Sequence, residues 1–291
     1  MRQLLILSGK GGTGKTTIAS AFIKLANAKA YADCDVDAPN LHLIAEWKTK
    51  PQKTHYYGLP KAQINNELCI QCDQCRQNCQ FDAISIVGKY KIEPFTCEGC
   101  GVCEYVCPVK AIAMVPSVDG ELWLYSDKEI VFSTAQLRMG SGTSGLLVTE
   151  VKKGMISKAV GAQMAIIDGS PGIGCPVIAS LSGVDMVLIV AEPSLSGISD
   201  MKRIINTAAI FGTKIAICIN KYDTNLENTE KIEEFCKKQD LPFVGRMPFD
   251  FDAVKAVNSG KTIVDINCAS GRAVKEIYDK TIGLLFENGE N

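Results

Sequence analysis

The chain has 291 residues, 46% of them hydrophobic, enough to bury a full core in one large domain or in one domain with a smaller companion. Its 31 basic and 32 acidic residues give a net charge of -1 with no long run of either sign, so the composition excludes an electrostatic nucleic-acid footprint. Thirteen cysteines, an odd number, argue against a disulfide framework and for metal or redox chemistry in a reducing compartment.

The first apolar run, residues 4–7, is too short for a signal-peptide core, and no apolar stretch reaches about 18 residues. A cytoplasmic location without a membrane partner is therefore expected. Residues 3–7 read as a buried strand and 15–28 as a helix; between them lies SGKGGTGKTT, which fits the phosphate-loop pattern as Gly9, Gly14, Lys15 and Thr16. Gly11, Gly12 and Gly14 let the backbone curl so that successive N–H groups face phosphates at a helix N-terminus, with Thr13 and Thr17 in the same run. Lys15 would neutralise the outer phosphates and Thr16 would hold magnesium. Lys10 is a second lysine that the plain pattern does not need.

A strand at 30–34 ends in Asp33-Cys34-Asp35, and a short segment, 41–46, leads into a different compositional regime. Eight of the thirteen cysteines fall between Cys69 and Cys107. The run Cys69, Cys72, Cys75, Cys79 returns 28 residues later as Cys97, Cys100, Cys103, Cys107, an internal duplication lying inside the flanking domain. Each C-x2-C-x2-C-x3-C run suits a cubane cluster, three near cysteines on one cluster and the fourth on the other. Zinc is the rival for any set of four thiolates.

Beyond the cysteines, strands are expected at 164–167, 186–190 and 214–219, with helices at 201–211, 226–238 and 272–285. Asp168-Gly-Ser-Pro-Gly172, Glu192-Pro193-Ser194 and Asn220-Lys-Tyr-Asp223 follow the three strands. Alternating strands and helices predict an α/β fold, a doubly wound, mostly parallel sheet, with an inserted α+β segment. The domain boundaries expected are 1–58 and 118–291 for the sheet domain and 59–117 for the insert.

The run Lys10 to Thr16 resembles the deviant Walker A motif of MinD/ParA-type P-loop ATPases, a group that includes nitrogenase iron protein and the Mrp-type iron-sulfur carriers. The resemblance, spanning about residues 8 to 250, implies an ATPase that binds Mg-ATP. It implies that Lys10 reaches across a nucleotide-bound homodimer to the partner's phosphates. It also implies that Asp35, in switch I, orients the attacking water and helps hold magnesium, that Asp168 reaches magnesium through water, and that Gly172 offers its N–H to the terminal phosphate. Asn220, with backbone near Pro248, would meet the base. Asn220-Lys-Tyr-Asp223 also resembles the NKxD motif of GTPases, which keeps GTP open beside the favoured ATP.

The cysteine insert resembles bacterial two-cluster ferredoxins. That implies one 4Fe-4S cluster on Cys69, Cys72, Cys75 and Cys107 and another on Cys97, Cys100, Cys103 and Cys79. Gln80 departs from the family, which has Pro there as Pro108 does after Cys107. Cys34, Cys218, Cys236 and Cys268 read as small apolar packing or cap residues. Cys175 lies seven residues after Asp168, where nitrogenase iron protein carries a cysteine that bridges subunits, but loop 139–145 lacks the second cysteine which that arrangement needs. A bridging or transient metal site and a packed or redox-active thiol both stay open there.

The combination implies ATP-driven closure of a homodimer that gates two clusters. The output is either electron transfer to a partner protein or handling of iron-sulfur or metal cofactors during assembly. A MinD-like positioning role is the third reading, set against the acidic C-terminus, which has no basic amphipathic face.

Overall fold

Along β1 (Arg2–Leu7), Leu5 and Leu7 enter one apolar core while Leu4 and Ile6 enter another, so both faces of the strand are covered. In this computed structural model, which describes residues 1–43, 50–127 and 129–287, β1 leads into α1 (Lys15–Leu25), β2 (Ala30–Asp33) and a single 3-10 turn at Leu41–Leu43. The rest of the 41–46 segment, and residues 288–291 at the C-terminus, lie outside the described residues.

β3 (Gln52–Tyr57) then leaves for a small module comprising β4 (Lys61–Ile64), α2 (Gln74–Gln77), β5 (Ile84–Val87), β6 (Lys89–Ile92), α3 (Val102–Tyr105) and β7 (Ile112–Val115). The chain returns through β8 (Val118–Ser126), β9 (Val131–Leu137), α4 (Ser144–Lys158), β10 (Met164–Asp168), α5 (Cys175–Leu181) and β11 (Met186–Ala191). It continues as α6 (Leu195–Ile210), β12 (Lys214–Asn220), α7 (Leu226–Lys238), β13 (Phe243–Met247), α8 (Phe251–Asn258) and α9 (Ala269–Phe286).

Among the described residues, the main sheet has the order β13-β12-β11-β1-β10-β2-β9-β8-β3. It is parallel from β13 to β9, and β8 and β3 close that edge antiparallel. Leu147 and Val148 of α4, Met201 of α6 and Ile232 of α7 cover one face, while Ile18 and Phe22 of α1 and Val274 and Ile277 of α9 cover the other. This is an α/β fold with a mostly parallel central sheet. Because every parallel strand points the same way, the loops after β1, β2, β10, β11 and β12 gather at one edge.

In the module, β4 pairs with β7 and β5 with β6, both antiparallel, so the first and last strands enclose the middle pair. The sequence duplication is visible in the backbone. Gln71 and Gly99, Asp73 and Gly101, and Asp82 and Lys110 are each 28 positions apart and all have positive φ, 58° and 71°, 61° and 75°, 50° and 51°. Non-glycine residues take that conformation at a cost and keep it only where surrounding structure demands it, so both halves are shaped by the same constraint. The module's core is small: Ala62, Ala83, Ile84, Tyr90, Ile92 and Ile112, with Cys75, Cys97 and Cys103 buried among them.

Candidate functional site

The loop between β1 and α1 turns on Gly12 (φ 78°) and Gly14 (φ 96°), conformations that favour glycine. A Cβ on Gly14 would lie 2.2 Å from Asn220 Nδ2, so the position excludes side chains on space as well as on backbone angle. Lys15, the first residue of α1, is 6% exposed and its Nζ lies 3.9 Å from Asp35 Oδ2. Thr16 Oγ1 donates to Asp168 Oδ2 at 2.6 Å. Three sequence-distant segments therefore meet where the phosphate loop predicts them to.

Burial pushes the Asp168 carboxyl up to about 6, against the pull of Lys15 and Thr16, and pushes Asp35 above its ordinary range, again opposed by Lys15. Asp33 sits beside Asp168 in the parallel register of β2 and β10, and burial, reinforced by Asp168, raises it to about 8. Its carboxylate accepts the N–H groups of Asp35 (3.0 Å), Asn40 (2.9 Å) and Leu41 (2.9 Å), which folds the loop carrying Asp35 back over the sheet edge. Asp168 Oδ1 is buried and has no hydrogen-bond partner. An orphaned carboxylate oxygen next to a threonine hydroxyl is a donor set that a hard divalent cation completes, so Thr16, Asp35 and Asp168 fit magnesium.

Two residues make contacts within the chain that the sequence does not indicate. Gly172 (φ 94°) donates its N–H to Ser8 O at 3.0 Å, so contact with a phosphate requires this segment to move. Asn220 is 6% exposed, and its Nδ2 donates to Thr13 O at 2.7 Å, while Lys221 Nζ donates to Gly12 O at 2.9 Å. Both brace the phosphate loop from the end of β12. Asn220→Ala would strand the Thr13 carbonyl and is expected to cost about 1–3 kcal/mol of stability. It should also weaken nucleotide binding, both readable by thermal denaturation with and without Mg-ATP.

Next to the loop lies a cavity of about 270 Å³ whose lining includes Gly14, Thr17, Asn220, Pro248, Phe249 and Ile263. Asn220 and Pro248 are both on its wall. Asp223 is not on that wall; its Oδ1 accepts the Phe249 N–H at 2.8 Å.

Lys10 points away from the chain's own phosphate loop. Its Nζ lies 3.1 Å from Ser194 Oγ, 3.3 Å from Ser196 Oγ and 3.9 Å from Glu192 Oε2, all at the start of α6. Sequence reading could not pair residues 184 apart, although Glu192-Pro193-Ser194 had stood out.

The eight cysteines of the module divide between two small cavities. One is lined by Cys69, Cys72, Cys75 and Cys107 with Ile64, Tyr90 and Ile112 among its walls; the other by Cys97, Cys100, Cys103 and Cys79 with Ala62, Phe81 and Ile92. In each, the cysteine from the other run accepts a backbone N–H, Ala111 to Cys107 Sγ at 3.2 Å and Ala83 to Cys79 Sγ at 3.4 Å. Among the described residues, no three His, Cys, Asp or Glu side chains come close enough to hold one metal ion. Burial, with Cys97 adding to it, pushes Cys103 up to about 11, and burial raises Cys75, so a metal would have to displace protons to bind there.

Cys34, Cys218 and Cys236 are buried in the sheet's two cores, and Cys268 caps α9, its Sγ accepting the Gly271 N–H at 3.2 Å. Cys175 opens α5 and is exposed, which removes the packed-thiol reading for it. No helix among the described residues is long and apolar enough to cross a membrane.

The family described as the CobQ/CobB/MinD/ParA nucleotide binding domain matches residues 4–263. An uncharacterized protein of Methanocaldococcus jannaschii is 34% identical over 284 residues, 96% of this chain and 95% of that one. An iron-sulfur cluster carrier protein of Pyrococcus furiosus is 24% identical over 306 residues, covering 98% of this chain and 87% of the carrier. The crystal structure of the cell division ATPase MinD from Pyrococcus furiosus shares the fold, with a TM-score of 0.58 and 17% identity over 97% of this chain and 99% of that one.

Proposed function

The chain belongs to the CobQ/CobB/MinD/ParA nucleotide-binding family, and on that premise we propose that it is an ATP-hydrolysing iron-sulfur protein. In this reading, nucleotide-dependent pairing of two copies gates two 4Fe-4S clusters for electron transfer to a partner protein. One observation carries it: the two cysteine runs are shared crosswise between two cavities, three from one run and one from the other, inside the domain that holds the phosphate loop. Four thiols around an apolar-walled space suit a cuboidal cluster, and the N–H donated to one sulfur in each cavity would stabilise the charge on it. When bound, such clusters supply a one-electron carrier. The chain's own part is to ligate them with Cys69, Cys72, Cys75 and Cys107 and with Cys97, Cys100, Cys103 and Cys79, and to screen them with Ile64, Phe81, Ile92 and Ile112.

On the nucleotide side, Gly11, Gly12, Thr13, Gly14 and Thr17 cradle the phosphates, and Lys15 neutralises them. Thr16, Asp35 and Asp168 would hold magnesium, which adds positive charge where phosphoryl transfer develops negative charge. Asp35, which stands within reach of Lys15 and is only partly buried, would orient the attacking water. The base cavity favours ATP, because Asn220 and Pro248 line it and Asp223 does not.

The second reading is delivery of clusters to other proteins. It is favoured by the exposed Cys175 beside the Asp168 segment, and by the likeness to a protein described as an iron-sulfur cluster carrier. One experiment tests both. Anaerobically purified protein should contain about eight iron atoms per chain, and Mg-ATP should change its spectrum, its potential or its oligomeric state. Iron-free protein after anaerobic reconstitution sinks the cluster reading. A loaded protein indifferent to Mg-ATP in all three measurements sinks the gating. Transfer of iron and sulfide to an apo-ferredoxin, with no ATP-driven electron transfer, decides for delivery.

A further inference from the structure

The joint between the cysteine module and the main sheet contains buried polar atoms that are not spent. Asp119, near the start of β8, is 3% exposed; its Oδ1 accepts from Ser117 Oγ at 3.0 Å and its Oδ2 has no partner. Thr143, just before α4, is 7% exposed and its hydroxyl is also unpartnered. Both face Gly58: a Cβ there would lie 2.0 Å from Asp119 Oδ2 and 2.8 Å from Thr143 Oγ1. A buried hydroxyl and a buried carboxylate oxygen left apart each carry a desolvation cost that their hydrogen bond would remove. A movement that brought the two together would let Thr143 Oγ1–H donate to Asp119 Oδ2.

The loop 139–143 beside that joint touches both halves of the machinery. On the module side, the Cβ position of Gly142 lies 3.4 Å from Glu98 Oε2 and that of Gly140 lies 3.5 Å from Phe95 Cδ1; Glu98 and Phe95 flank Cys97. Lys61 Nζ donates to Cys97 O, and Gly99 backs onto Pro60 O. On the sheet side, the Cβ position of Gly145 lies 3.1 Å from both Cβ and O of Cys175, where α5 begins. Lys152 of α4 is buried and donates to Ser180 O (2.7 Å) and Ser182 O (2.5 Å) at the far end of α5. α4 and α5 are therefore in contact at both ends of α5. Three residues before α5 stands Gly172, whose N–H is bonded to Ser8 O and must leave it to meet a phosphate.

We propose that α5, α4 and the loop 139–143 form a lever that transmits the nucleotide-driven movement of Gly172 to the ring of Cys79, Cys97, Cys100 and Cys103. The ring of Cys69, Cys72, Cys75 and Cys107 is not on this path, and the Thr143–Asp119 hydrogen bond closes the joint in the nucleotide-bound state. The observations at its two ends are the Gly172 N–H held by Ser8 O and the unpartnered Thr143 hydroxyl and Asp119 Oδ2 that both face Gly58. The lever rests on the reading that the rings hold clusters.

The test is hydrogen–deuterium exchange on the anaerobic, cluster-loaded full chain, with and without magnesium and a non-hydrolysable ATP analogue. Iron and sulfide are measured in the same samples. Residues 95–101 and 139–143 should exchange about fivefold more slowly or less with nucleotide, the lower end of ordinary coupling between sites, while residues 69–75 stay unchanged. Thr143→Val removes the hydroxyl, which makes no cap bond to α4, and should erase that difference while weakening nucleotide binding by no more than about the same fivefold, because the coupling is reciprocal. Equal protection of both rings, protection of 69–75 alone, or a Thr143→Val protein that behaves as wild type overturns the lever. A chain that takes up no iron overturns the cluster reading instead.

Discussion

Lys10→Ala is expected to abolish ATP hydrolysis and ATP-dependent pairing of the chains while leaving iron content at the wild-type level. In the single chain the Lys10 ammonium rests on Ser194 and Ser196 at the start of α6, near Glu192, while Lys15 is buried beside Asp35. The resting place is a weak one. A cation at a helix N-terminus opposes the helix dipole, and a part-exposed ion pair at 3.9 Å contributes at most about 1 kcal/mol, so release costs little. In the proposed pairing, what Lys10 would gain on release is a phosphate of the partner chain's nucleotide, and a cation supplied from a partner chain accelerates phosphoryl transfer by about 10³–10⁵-fold. Phosphate release should fall by that factor, and sedimentation with Mg-ATP should show a monomer. Lys15→Ala should differ in kind, losing nucleotide binding itself. Hydrolysis by a stably monomeric wild-type chain would remove the role assigned to Lys10.

The parts of this molecule legible in its sequence are those whose cause is local. β1, β2, β10, β11 and β12 are short apolar runs covered on both faces, and their observed ends lie within a residue of expectation. α7 matches the expected 226–238, since Asn225 caps it and its apolar residues keep helical spacing. β9 was not legible because Ser133 and Thr134 interrupt its apolar run, yet both are buried. β8 carries Asp119 and Glu121, and β3 is a mostly exposed, polar edge strand, QKTHYY, held extended by its pairing with β8 while Tyr56 alone of its residues enters the core. α4 lacks a clean apolar stripe: Lys152 occupies a buried position, and what satisfies it there is the carbonyl end of α5, contributed by residues about 30 positions away.

The same division runs through the site. The phosphate loop, Asp35 and Asp168 could be found because a strand, a motif and a helix succeed one another within a few residues. The use of Asn220 as a brace, the bond from Gly172 to Ser8 and the resting place of Lys10 depend on which loops the parallel sheet brings to one edge, and no spacing in the chain encodes those distances.

The crosswise sharing of cysteines makes a prediction that sequence proximity alone would get wrong. Cys107→Ala should deplete the ring of Cys69, Cys72 and Cys75, and Cys79→Ala the ring of Cys97, Cys100 and Cys103, each leaving about four of about eight irons. Combining replacements separates the pairings. Cys107→Ala with Cys72→Ala removes two ligands from one cavity and should cost no more iron than either alone. Cys107→Ala with Cys100→Ala strikes both cavities and should leave almost none. Non-additivity of this kind identifies residues that act on one object. If each run instead held its own metal, the outcomes would exchange: the Cys107 and Cys100 pair would spare half the iron and the Cys107 and Cys72 pair would lose it all. The double loss should also unfold the module, because six buried non-cysteine residues are too small a core to stand without a staple. The sheet domain has its own two cores and should survive, so ATP binding in the iron-free variant would stay near wild type while circular dichroism and limited proteolysis report a lost segment between β3 and β8.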